Sequence, residues 1–145
     1  MAFLYSKNTS AKSDKVSVND EKPAIEGITI DCVIFGFNKE SLEVLLVQHA
    51  EGESVGKWGL LGGWLQKEES ADDAAQRILF ELTSLDNIYL EQLKAFTDPN
   101  RVTDRRVVTI GYYTLVNRED YNIKAGFTLR EAKWYKINQI PDLIF

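Results

Sequence analysis

Past a polar opening stretch, the apolar positions of this chain fall into two spacings, and each predicts a different kind of element. In IEGITIDCVIFGF (Ile25 to Phe37) and again in LEVLLVQ, β-branched, aromatic and aliphatic residues run with little alternation, as in strands covered on both faces. Asn38, Lys39 and Glu40 supply a turn between them, so the pair reads as a long hairpin of central strands. A Gly/Glu/Ser loop follows from Glu51 to Lys57. WGLLGGWLQ then predicts a short strand broken at Gly62 and Gly63, where chain and ligand can approach closely.

At Ser70 the spacing changes to that of a helix. Ala74, Ala75, Ile78, Leu79, Leu82 and Leu85 form one apolar stripe. Ser70 with Asp73 three residues on resembles a capping box, and Asp72 and Asp73 suit the positive end of the helix. Asp73, Arg77 and Glu81 are spaced to pair along the polar face. Strands are predicted near Ile88 to Phe96 and Arg106 to Val116, separated by TDPNRVTDR. A polar stretch from Asn117 to Thr128 leads to a strand at AKWYKI and a short closing helix in NQIPDLIF. This order predicts an α/β fold in residues 24–145, a mixed sheet with helices on both faces. Residues 1–23 are too polar to bury much surface and are expected to form a mobile arm.

Composition narrows the function. The chain has 145 residues, room for one domain, and 17 Lys and Arg against 22 Asp and Glu give a net charge of −5. That balance argues against this segment alone as a nucleic-acid surface, so any phosphate must be gripped locally, with Arg77, Arg101, Arg105 and Arg106 as candidates. No apolar run is long enough to span a bilayer and the start lacks a secretory apolar region, so a cytoplasmic protein without membrane partners is expected. Cys32, the only cysteine, lies within an apolar run and reads as a buried thiol. His49, the only histidine, has no serine of suitable context nearby and reads as a strand-end residue.

The chemistry concentrates between Gly63 and Leu85. Gly63, five residues, Glu69, seven residues, Arg77 and then Glu81 make a spaced motif. Positions 78, 81 and 82 project from neighbouring turns, so carboxylates there would gather hard oxygens for Mg²⁺ or Mn²⁺. Here two of the three are aliphatic, Ile78 and Leu82. Glu81, helped at most by Glu69, is a poor cage for a divalent ion.

This pattern resembles the Nudix box, with Ser84 standing where the family closes on glycine. With KWGLLGG upstream and VVTIGYYTLV downstream, the resemblance covers about Ile25 to Phe145 and implies a Nudix-like α/β/α sandwich with the box helix packed on the sheet. More narrowly, the runs TIDCVIFGFNKESLEVLLVQH, DRRVVTIGYYTLV and WYKINQIPDLIF are similar to the amino-terminal domain of Nudix-related transcriptional regulators. These include the NrtR group, which senses ADP-ribose-type nucleotides, and the AraR-like group of Bacteroidetes, which senses a pentose. The resemblance implies a homodimer and DNA contact only through a carboxy-terminal winged-helix domain, which would lie beyond Phe145. The departures at Ile78 and Leu82 lead us to expect no catalytic or metal-binding residues and no cofactor in this chain. Were the chain active, Glu81, Glu69 and Arg77 would be catalytic, with Glu69 and Glu81 holding Mg²⁺ or Mn²⁺.

Candidate ligand contacts are Trp58 and Trp64 as a platform flanking Gly62 and Gly63, and Arg77 and Glu81 on the helix. Asp98, Arg101 and Arg105, with Asn100 and Asp104, lie in the loop between two strands, where sugar hydroxyls and phosphates can be met. Each has a plainer reading: tryptophans in the core, a solvated turn, Glu81 simply paired with Arg77 or Lys94, and Glu69 holding its loop. Tyr112 and Tyr113 fall on opposite faces of a strand. The expectation is a sensor of a sugar or sugar nucleotide that does not hydrolyse it. The alternatives are a magnesium-dependent hydrolase of ADP-ribose or a related nucleoside diphosphate derivative, and a protein-interaction module.

Overall fold

The long apolar runs become the middle of one mixed sheet. The computed structural model describes residues 27–52 and 54–144, so the expected mobile arm lies outside the described residues. β1 (Gly27–Phe37) and β2 (Leu42–His49) form the expected hairpin, paired antiparallel from Phe35 opposite Val44 to Phe37 opposite Leu42. Asn38 closes the turn by accepting the backbone N–H groups of Glu40 and Ser41, both at 2.9 Å. β1 also pairs in parallel with β6 (Val107–Asn117) over its whole length and antiparallel with β4 (Leu61–Trp64). β3 (Trp58–Gly59) and β7 (Leu129–Lys136) flank β2, and β5 (Glu91–Phe96) lies at the edge beyond β6.

Side chains alternate across β1, so Ile30, Cys32 and Ile34 face one layer while Thr29, Asp31, Val33 and Phe35 face the other. The first layer is α1 (Ala71–Thr83), whose Ala74, Ala75, Ile78 and Leu79 are buried against that set with Leu45, Val47, Leu61 and Tyr112. Cys32 is fully buried there, and burial pushes its thiol up to about 12. Burial of a branched aliphatic side chain contributes roughly 1.5–3 kcal/mol, which makes this interface the main tie between helix and sheet.

Two expectations about elements change. The strand around Gly62 and Gly63 is not broken at the glycines: both lie inside β4, and the interruption falls at Leu60. The closing helix in NQIPDLIF does not form beyond one 3-10 turn, Ile137–Gln139. Pro141 disfavours helical backbone at the residue before it, and Ile140 is extended, with φ −67° and ψ 130°. The chain then runs beside β3, where the N–H of Ile144 donates to the carbonyl of Trp58 at 3.0 Å. Among the described residues, therefore, no α-helix covers the face opposite α1, and Phe37, Leu42 and Leu115 remain exposed on it. The expected α/β class stands, as a mixed sheet with one helix. No described helix is long and apolar enough to cross a membrane.

Candidate functional site

The loop from β4 into α1 is shaped by one arginine. Arg77 donates through Nε to Glu69 Oε2 at 2.9 Å and through Nη2 to Glu69 Oε1 at 2.7 Å, a two-point fork that fits guanidinium to carboxylate. The same Nη2 reaches the carbonyl of Trp64 at 3.0 Å, and Nη1 meets Glu81 Oε2 at 3.1 Å one turn on. Glu69 also accepts the backbone N–H of Gln66 at 2.7 Å. Arg77 thus fastens the end of β4, the loop and the helix together. Its hydrogen bond is the main reason the Glu69 carboxyl is held below its ordinary value, and reciprocally Glu69 raises Arg77.

The helix begins where its sequence says. Ser70 is the N-cap: its hydroxyl accepts the N–H of Asp73 at 3.1 Å and donates to the Asp73 carboxylate at 2.7 Å. Asp73 is therefore engaged at the cap, and the expected Asp73–Arg77–Glu81 ladder reduces to its second half. Lys94 lies over the Phe96 ring, 4.8 Å from the centroid.

Positions 78, 81 and 82 do not form one outward cluster. Ile78 is buried, near enough that a side chain at Gly63 would come within 3.2 Å of it. Leu82 is half-buried against the same core, while Glu81 turns outward with its side chain 55% exposed. Both Glu69 oxygens and one Glu81 oxygen are engaged by Arg77. Among the described residues, no group of three or more His, Cys, Asp or Glu side chains is placed to hold a metal ion. This donor set does not fit the carboxylate cluster that the box frame implies.

A second set of polar groups lies on the other face of the sheet, at the β4 end. Asp31 of β1 stands against Gly62 so closely that any side chain at Gly62 would strike its carboxylate. Arg101, from the β5–β6 loop, donates to the Thr109 hydroxyl, and Thr109 and Thr29 hydroxyls meet at 2.6 Å. Desolvation raises the Asp31 pKa and the charge of Arg101 partly offsets it. Trp64 is half exposed on this same face, its ring over Gly27.

The structure brings Gly62, Trp64 and Arg101 together here, and Gly63, Arg77 and Glu81 on the helix side. Trp58 lies apart, edge-on to Tyr135 with centroids 5.0 Å from each other, so the two tryptophans make no shared platform. Asp98 turns its own loop by accepting the N–H of Asn100 at 2.7 Å, and Arg105 pairs with Asp104 at 3.3 Å on the surface. Asp31, Thr29 and Thr109 escaped the sequence reading. The signal for Asp31 was one carboxylate inside an apolar strand. The tyrosines do divide between faces: Tyr112 is buried and bonds Asp72, while Tyr113 is half-buried on the other side.

A mixed sheet carrying one capped helix, joined by a glycine pair and an arginine clamped to a loop glutamate, defines a domain of the Nudix class. The family model described as NUDIX domain matches residues 26–144, and the chain belongs to that family. Among curated relatives it is 28% identical over 114 residues to the "ADPR responsive transcriptional repressor NtrR" of Acinetobacter baylyi, covering 77% of this chain and 45% of the repressor. It is 25% identical over 118 residues to the "ADP-ribose pyrophosphatase" of Methanocaldococcus jannaschii, covering 81% of this chain and 66% of that protein. The NUDIX domain of Shewanella oneidensis NrtR, solved with ADP ribose, superposes with a TM-score of 0.71 at 26% identity, covering 88% of this chain and 85% of that one.

Proposed function

We propose that this chain is the ligand-sensing domain of a transcriptional regulator, binding an ADP-ribose-type nucleotide without cleaving it. One observation carries the reading: the box frame is built in full, from Gly63 through the Glu69–Arg77 fork, while positions 78 and 82 are given to the hydrophobic core. A frame kept with one of its three helix carboxylates, Glu81, supports recognition over diphosphate cleavage, because cleavage needs ions to neutralise the phosphates and activate water. The likeness to an ADPR responsive repressor and to a NUDIX domain solved with ADP ribose supports the ligand class.

In this reading the half-exposed Trp64 ring offers a flat surface to the base, Arg101 meets a phosphate, and Asp31 accepts a ribose hydroxyl. Asp98 and Arg105 would add contacts from the β5–β6 loop. A homodimer joined to a DNA-binding domain would convert differential affinity for the ligand into altered operator binding. The chain spans less than half of the repressor it resembles, so these partners belong to the proposal.

Titration with ADP-ribose in EDTA tests it. We expect a rise in melting temperature without metal, reduced in Arg101→Ala, since a ligand bound only by the folded state stabilises it. Incubation with Mg²⁺ should leave the nucleotide intact. Release of AMP, abolished in Glu81→Gln, would instead establish the hydrolase reading, which the pyrophosphatase relative favours.

A further inference from the structure

After α1 the chain doubles back along the helix. Ser84 and Asn87 both take the left-handed backbone, at φ 58° and 53°, and the path they set brings the carbonyl of Ile88 to Gln76 Nε2, which donates to it at 2.8 Å. Between the helix and the returning chain lies a groove of about 650 Å³, within the range for ligand pockets, roughly 300–1,000 Å³. Its floor is fixed, because Ile88 is 4% exposed and belongs to the core. Its sides carry two rings that the described residues leave largely uncovered: Phe80 on the helix is 55% exposed and Tyr89 on the returning chain 79%.

Two charged side chains line the groove, Arg77 and Asp86. Arg77 is already engaged: four of its five N–H groups go to Glu69, Glu81 and the carbonyl of Trp64, and the two carboxylates more than match its charge. Asp86 is exposed and has no ion pair among the described residues. No lysine lines the groove: Lys94 is drawn over Phe96, and Lys124 meets the helix end through its backbone, at the carbonyl of Thr83. The free charge of the lining is therefore negative. One exposed aromatic residue is ordinary, but two on a single rigid groove beside an unmatched carboxylate mark a contact surface.

We infer that this groove docks an arginine side chain presented by a segment of a partner protein. A guanidinium is flat, permanently charged and weakly hydrated, so it can lie against ring faces while its forked N–H groups meet a carboxylate. Phe80 and Tyr89 supply the faces and Asp86 the carboxylate, while the apolar stem of the arginine has the rings to cover it. A phosphorylated ligand or an acidic segment would bring negative charge to a lining whose free charge is already negative. A lysine would gain the charge contact without the planar fork.

Backbone amide shifts of the ¹⁵N-labelled chain, titrated with a capped Ala-Arg-Ala-Arg-Ala peptide, test the site; versions with lysine or citrulline in place of arginine serve as comparisons. We expect saturable shifts centred on Phe80 and on Asn87 to Tyr89 with the arginine peptide. The lysine version should bind about fivefold or more weakly, and the citrulline version, which keeps the shape and loses the charge, should leave the groove unmoved. Asp86→Asn and Tyr89→Ala alter exposed side chains, so the urea midpoint should hold while each weakens the arginine peptide by about fivefold or more. Shifts spread over the acidic surface, or binding unaltered in either variant, would mean attraction to net charge alone and would overturn the proposal. So would equal binding of the lysine or citrulline peptide, or no shift at ~5 mM arginine peptide, a concentration at which even millimolar affinities register. Groove amides that move with the chain's own concentration, without peptide, would assign the surface to a second copy and overturn it too.

Discussion

At its amino end α1 is held by its own neighbours: Ser70 and Asp73 exchange hydrogen bonds, and Glu69 turns back to the N–H of Gln66. At its carboxyl end the last carbonyls are met from far along the chain. Gly126 donates its N–H to Leu82 at 2.9 Å and Lys124 donates to Thr83 at 3.1 Å, both from the loop that follows β6. Helix ends leave such carbonyls without intrahelical partners, and burying them unpaired is costly. The approach is so close that a side chain at Gly126 would collide with the carbonyl oxygen of Glu81. One end of the helix is thus a local device and the other depends on the whole sheet being assembled.

The largest break in this comparison is expected from Gly126→Val. Displacing the loop removes two backbone hydrogen bonds and forces overpacking, a combined loss of about 3 kcal/mol or more, read as an earlier midpoint in urea. An unchanged midpoint would show that the loop merely lies beside the helix. Ser70→Ala at the other end should cost only about 1 kcal/mol, because it loses one N-cap bond and one solvent-exposed hydroxyl–carboxylate bond. Ser84→Gly is expected to act in the opposite direction. Ser84 sits in the left-handed region at φ 58°, where a side chain costs ~1 kcal/mol, and glycine's greater unfolded freedom returns part of that, leaving a gain of ~0.5 kcal/mol.

The subtlest test follows pH. Arg77 holds the Glu69 carboxyl below its ordinary value of 4.5, so ionised Glu69 stabilises the folded state above that pH, and the contribution is lost as pH falls through the lowered value. The gap in melting temperature between wild type and Glu69→Gln should therefore be open at neutral pH and close in acid. A gap independent of pH would mean that the fork works by shape alone.

The same contrast explains what could be read in the sequence. The hairpin, the helix start at Ser70, the apolar stripe and the Glu69–Arg77 pairing were legible because each is written in nearby residues or a period. Gly126 carried no such mark, since its need for a bare Cα comes from a helix it meets only in three dimensions. Asp31 and Thr109 meet Gly62 and Arg101 through pairings between strands distant in the chain, so a pattern search at Gly63 could not reach them. The closing helix was expected from NQIPDLIF as an apolar tail, but Pro141 and the free edge of Trp58 draw that segment into an extended path.

The burial of Cys32 has a practical outcome. A lone thiol at the centre of the sheet, pushed far from its reactive form, should ignore maleimide reagents until the chain unfolds. Cysteines placed by design on the surface would then be the sole attachment points for dyes or spin probes, with no need to remove the natural one.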